Sequence, residues 1–263
     1  MALLNFKKRE TVENGPVNPT VEAFLKDYSI EVMPRTAEKV EDFRALLPEG
    51  TRVYIAHIEG TPIEDMVATA KRLAAEGYAA LAIDVYGEGV TTEDPGEAGH
   101  RMNELLDNPK ELLARALAGS KQLHDMPETC RDRMGAVGFC FGGKIVLDMA
   151  RSGLKLKAVA TFHGNLSATK RAEPGDIKAE LLIAHGGEDS MVSMEVVEDF
   201  KEEMDAAGVS YELDIYEGAK HGFTNPKIDE RAEQNDLDLA YNAAASEQSW
   251  QKMLKFFERT LKA

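Results

Sequence analysis

Cysteine is scarce in this chain: two in 263 residues, Cys130 and Cys140. Two are too few for a disulfide framework, so the fold must rest on a packed core, and a free thiol suits a reducing compartment. Positive charge is also short, with 31 Lys and Arg against 46 Asp and Glu for a net charge of −15. That balance argues against the basic surfaces that nucleic acid and anionic membranes require. No apolar run approaches the roughly 20 residues of a membrane-crossing helix. In Met1–Glu10 the charges follow a very short apolar run, the reverse of the order in a secretory signal, so a cytoplasmic protein is expected. Internal repeats and low-complexity tracts are missing as well.

What is present is ordinary for a globular protein, 43% apolar and 29% charged residues. Short apolar runs alternate with amphipathic stretches. The first 20 residues are polar and broken by Gly15-Pro16 and Asn18-Pro19. A short helix is expected over 21–28, a strand over 29–33, and a helix from Thr36 to Leu47. Strand 52–58, helix 62–76 stopped by Gly77, and strand 78–86 follow. Residues 87–99 suit a loop, with Glu93–Gly96 as an exposed turn, before helices over 98–107 and 109–125. Then come strand 134–139, helix 141–152, strands 156–163 and 179–185, helix 193–207 and strand 211–216. An irregular segment over 224–240 precedes a last helix over 242–261. This alternation implies one domain, residues 1–263, built as a three-layer αβα sandwich on a mostly parallel sheet of about seven strands.

Gly138-Phe139-Cys140-Phe141-Gly142-Gly143 has the spacing of a nucleophile elbow with Cys in place of Ser. A sharp strand-to-helix turn brings two backbones together, which is why small residues flank it. A thiol at the start of a helix faces backbone N–H groups and the positive end of the dipole, both of which favour thiolate. Asp189 and His221 stand at the carboxyl ends of two later strands, where sites in parallel sheets form. The chain order nucleophile, acid, histidine is that of the α/β-hydrolase arrangement. Thiolate would attack a carbonyl carbon, the imidazole would carry the proton, and the carboxylate would hold the imidazole. The Phe141 N–H would be one oxyanion donor. His163 and His185 also end strands, but lack ligand spacing, so packing and support of the triad are expected of them rather than metal binding.

Residues from about 78 onward resemble the dienelactone hydrolase family. The segments that carry this are Tyr-Ala-Ala-Leu-Ala-Ile-Asp-Val-Tyr-Gly-Glu-Gly (78–89), Gly-Phe-Cys-Phe-Gly-Gly (138–143), Phe-His-Gly (162–164), His-Gly-Gly-Glu-Asp (185–189) and His-Gly-Phe-Thr-Asn-Pro (221–226). The resemblance implies a hydrolase of small esters or lactones with Cys140, Asp189 and His221 as its triad. It also implies a second oxyanion donor around Glu59, Gly60 and Thr61. The family's acidic residue that holds the resting thiol has no match there: Ile58 stands at its place, with His57 and Glu59 on either side. Asn225 stands where the family has an arginine for the substrate carboxylate. An opening antiparallel hairpin is not expected from this sequence.

Residues from about 29 to 77 resemble instead the first strand–helix units of the methylenetetrahydrofolate reductase barrel, through Ser-Ile-Glu-Val-Met-Pro-Arg-Thr (29–36) and Val-Tyr-Ile-Ala-His-Ile-Glu-Gly-Thr (53–61). Glu31 would match that family's acidic residue on the first strand. The combination implies a chimera with an atypical N-terminal βαβα segment over 1–77, joined near 66–80 to a hydrolase-like part over 78–263. A flavin barrel needs roughly 250 residues of repeated units, so no cofactor is expected. The function expected is slow ester or lactone hydrolysis by a Cys–His–Asp triad and a thioester. A folded but inactive scaffold is the alternative, and a flavin or folate oxidoreductase remnant the third reading. The expected partner is a small-molecule ester or lactone, with no nucleic acid or membrane, in a monomer or weak homodimer.

Overall fold

The computed structural model of the protein describes residues 2–7, 53–54, 63–83, 85–86, 92, 94–125 and 129–261. The strand expected over 29–33 with Glu31, the helices over 21–28 and 36–47, and the residues His57, Glu59, Gly60 and Thr61 lie outside them. The chain divides into two compact units, Met1–Gly135 and Ala136–Ala263.

In the first unit, strand β3 (Tyr78–Ala82) lies between β2 (Val53–Tyr54), which runs parallel to it, and β1 (Ala2–Lys7), which runs antiparallel. Strand β1 corrects the sequence reading, which expected no opening antiparallel element. Its six residues are too few to show a period, and their partner lies more than 70 positions away, from Ala2↔Ala82 to Phe6↔Tyr78. All five residues of β3 are buried, as its continuous apolar run requires. Helix α1 (Ile63–Ala75) packs on β3 and ends where Gly77, at φ 89°, takes the left-handed turn.

Helix α2 (Pro95–Asp107) begins inside the stretch expected to be an exposed turn. Asp94 explains the difference, since its Oδ1 accepts from the Glu97 N–H at 2.7 Å, and Pro95 is at home in a first turn. In helix α3 (Pro109–Asp125), Arg115 donates through Nη1 to the carbonyls of Val85 and Tyr86 at 2.8 and 3.0 Å. That guanidinium closes off backbone acceptors just beyond β3. Strand β4 (Thr129–Phe139) starts earlier than expected and takes in Cys130, which is buried.

In the second unit β4 neighbours β5 (Ala158–Phe162), which pairs in parallel with β6 (Glu180–Gly186), which pairs in parallel with β7 (Tyr211–Tyr216). Helix α4 (Phe141–Arg151) packs on β5, and helix α7 (Ala243–Leu261) packs on β5 and β6. Every residue of β5 is buried. Helix α5 (Met194–Ala207) ends on Gly208 at φ 66°. The segment expected to be irregular contains helix α6 (Ile228–Asn235), whose only buried residue is Ala232. With one apolar position inside, that helix leaves almost no hydrophobic period to read.

A charged cluster ties these helices together. Arg151 on α4 grips Glu203 on α5 with two bonds, 2.9 and 2.8 Å, and also donates to Asp148 at 3.0 Å and to the Leu166 carbonyl at 2.9 Å. Glu203 accepts in addition from the Ala172 N–H at 2.8 Å. The Arg151 and Glu203 side chains are 5% and 3% exposed, so neither charge can turn to water if its partner is lost. Glu203→Ala is therefore expected to cost about 3–5 kcal/mol in urea unfolding, whereas Arg151→Met with Glu203→Leu should cost much less. Equal losses in the two variants would count against a charge left buried as the cause.

Candidate active site

The site is built at the carboxyl ends of β4, β6 and β7. At the end of β4 the chain turns directly into α4. A Cβ on Gly138 would stand 2.0 Å from the Gly142 carbonyl oxygen, and one on Gly143 would stand 2.2 Å from Thr161 Oγ1. Only glycine fits either place. The turn between them forces Cys140 to φ 51° and ψ −120°, a conformation that costs an L-residue of order 1–3 kcal/mol. Cys140 donates its backbone N–H to the Phe162 carbonyl at 3.1 Å, and its own carbonyl accepts from Gly143 at 2.9 Å. The residue is exposed. Phe141 is the first residue of α4.

Asp189 follows β6. Its side chain is fully buried, with Oδ1 accepting from the Met191 and Val192 N–H groups, both at 2.9 Å. Its Oδ2 lies 2.8 Å from His221 Nδ1. On the other side of the ring, His221 Nε2 lies 3.0 Å from Cys140 Sγ. The three residues singled out in the sequence thus form one continuous chain of hydrogen bonds, although Cys140 and His221 are 81 positions apart.

Burial opposes a charge on His221. The hydrogen bonds to Asp189 and Cys140, and the charges on both, outweigh it and raise the imidazole pKa to about 10. Burial likewise pushes the Asp189 carboxyl up, but the bond and charge of His221 and the two N–H groups hold it below its usual value. Such an arrangement can keep a proton on the imidazole beside an exposed sulfur and hand it to a group reacting there.

Of the other residues singled out, His163 lies at the site. Its ring meets that of His221 edge-on, centroids 5.1 Å apart, and its Nε2 is 2.8 Å from Thr224 Oγ1. His185 is buried at the end of β6. Asn225 accepts from the Lys227 N–H at 3.0 Å. Thr224 was not singled out from sequence, although it sits inside the quoted His-Gly-Phe-Thr-Asn-Pro segment. Among the described residues no cluster of three or more His, Cys, Asp or Glu could hold a metal ion. Among them, too, no helix is long and apolar enough to cross a membrane.

The profile of the dienelactone hydrolase family matches residues 49–261. The chain belongs to the dienelactone hydrolase family. The match starts at residue 49, upstream of the segments from residue 78 that carry the resemblance in the sequence. A candidate carboxymethylenebutenolidase of Synechocystis sp. is 31% identical over 207 residues, covering 73% of this chain and 79% of that protein. A solved structure named m3DLH is 31% identical with a TM-score of 0.69, covering 80% of this chain and 85% of that one. A dienelactone hydrolase-like promiscuous phosphotriesterase from metagenomic libraries is 28% identical with a TM-score of 0.68, covering 81% and 88%. The fold is α/β-hydrolase-like, and the chain is a hydrolase of the carboxylic-ester type.

The pKa directions give a pH dependence. An imidazole whose pKa rises on folding, from 6.5 to about 10, adds stability that is fully present below about pH 6.5 and fades as pH rises through about 10. A carboxyl whose pKa falls on folding adds stability above about pH 4 that is lost as pH drops. The stability gap between the native chain and Asp189→Asn should therefore be widest between about pH 4 and 6.5 and close toward pH 10. Urea unfolding across that range measures it, and a gap independent of pH would rule out the coupling.

Proposed function

We propose that the protein hydrolyses small carboxylic esters or lactones through a Cys140–His221–Asp189 triad and a thioester acyl-enzyme. The observation that carries this reading is the continuous Sγ···Nε2, Nδ1···Oδ2 chain at 3.0 and 2.8 Å. The Cys140 sulfur, as thiolate, adds to the carbonyl carbon. The oxygen that becomes negative is met by the Phe141 N–H at the start of α4, with Glu59, Gly60 and Thr61 as the second wall. The tetrahedral species collapses, the C–O bond breaks, and His221 gives its proton to the leaving alkoxide. Water then attacks the thioester, returning a proton to His221, and the acid leaves as thiolate re-forms. Asp189 holds the ring so that Nε2 faces sulfur throughout.

Slow turnover belongs to this proposal. Ile58 stands where the family has its thiol-holding acid, and the second oxyanion donor, near Glu59–Thr61, lies in an altered segment; loss of one such donor costs about 10²–10³ in rate. The chimera reading makes residues from about 29 to 77 a barrel-derived stretch; the family profile already matches from residue 49, which leaves that reading only 29–48 and takes Glu59, Gly60 and Thr61 out of it. We further read the two units as one cytoplasmic domain acting on small molecules as a monomer or weak homodimer.

With p-nitrophenyl acetate the native protein should release nitrophenolate and accumulate an acetyl group on Cys140, read by peptide mass spectrometry. Cys140→Ala and His221→Ala should fall to the background of buffer. Turnover by Cys140→Ala equal to native would overturn the reading. Native protein that forms no acetyl-enzyme would instead support the inactive scaffold. Bound flavin in the purified protein would revive the third reading.

Asn225 replaces the family's arginine, and its side chain is already engaged with the Lys227 N–H. An uncharged ester should therefore give a higher kcat/KM than an otherwise similar ester carrying a carboxylate. The reverse preference in a steady-state comparison would show that some other cation takes that role.

A further inference from the structure

His163 bears two costs at one position. Its backbone is held at φ 39°, a region an L-residue rarely adopts. Its side chain is buried, and Nδ1 has no hydrogen-bond partner among the described residues. If the place needed only an aromatic filler, phenylalanine would serve with no orphaned polar atom. The costs are met elsewhere in the contacts His163 makes. Its Nε2 reaches Thr224 Oγ1 at 2.8 Å, three residues beyond His221. Its ring stands edge-on to His221 at 5.1 Å and to Phe223 at 5.2 Å, and 6.2 Å from Phe139. Its backbone N–H is tied to the Ala184 carbonyl at 2.8 Å, so the ring is presented from a fixed point beyond β5.

We propose that His163 is a positioning residue for His221: through Thr224 it staples the histidine loop to the end of β5, and its ring walls the imidazole in line with Cys140. This rests on reading Cys140, His221 and Asp189 as the triad. The groups facing His163 are consistent with the role. Burial and the charges of His221 and His185 hold its pKa well below the usual histidine value, against the opposing pull of Asp189. A ring that stays neutral does not compete with His221 for the proton.

Removing either end of the staple should have the same effect, and removing both should add nothing. In the full chain, Thr224→Val deletes the bond and leaves the wall, and His163→Phe keeps a wall and deletes the bond. Each should lower kcat for p-nitrophenyl acetate by about tenfold to a hundredfold with KM within about twofold. The double variant should be no worse than the poorer single one. Alkylation of Cys140 by iodoacetamide, followed on the Cys140 peptide, needs no turnover. In both single variants its rate at neutral pH should drop and its pH midpoint rise. Single variants with the native alkylation profile, or losses that simply add, would overturn the staple. Should Cys140→Ala turn over like the native protein, the triad reading fails, while the alkylation profiles still judge the staple by themselves.

Discussion

The site depends on one close approach, the passage of β4 into α4 with Gly138 against the Gly142 carbonyl. No side chain fits between them, and the tightness of that crossing puts Cys140, an exposed residue, at positive φ. It also delivers the Cys140 N–H to Phe162, so that the elbow and the end of β5 are joined by a backbone bond. From there Thr161, beneath Gly143, and His163, beside His221, follow within two residues. The strand-to-helix turn, the neighbouring strand end and the imidazole are thus one mechanical assembly.

Around that crossing the second unit behaves as a parallel sheet is expected to. Strands β5, β6 and β7 run the same way, so their carboxyl ends lie side by side and Asp189 and His221 arrive together from loops far apart in sequence. Burial does the rest. With Asp189 fully enclosed and His221 nearly so, water screens their interaction little, while Cys140 beside them is an exposed residue. Arg151 ends the helix that begins at the elbow, and its pair with Glu203 anchors that far end to α5.

The candidate triad was legible in the sequence because each member sits in a short, glycine-bounded segment just after an apolar strand: Cys140, Asp189 and His221 all carry that local signature. Strands β5 and β6 and most helices of the second unit were legible for a related reason, their patterns being carried by buried side chains. Strand β1 was not, since a strand of six residues is defined by its distant partner and not by its own pattern. Helix α6 was not, because it buries one alanine. Helix α2 was mistaken at its start because Asp94-Pro95-Gly96 reads equally as a turn and as a cap, and only the bond to Glu97 decides between them. Thr224 lay within a quoted motif, but nothing along the chain links it to His163, 61 positions earlier.

The positive φ of Cys140 sets chemistry against folding at a single residue. A glycine there would adopt the same backbone without strain, so the most comfortable occupant of the elbow is one with no reactive atom. The strain is of order 1–3 kcal/mol, so presenting a thiol from this backbone is set against the stability of the fold by about that much.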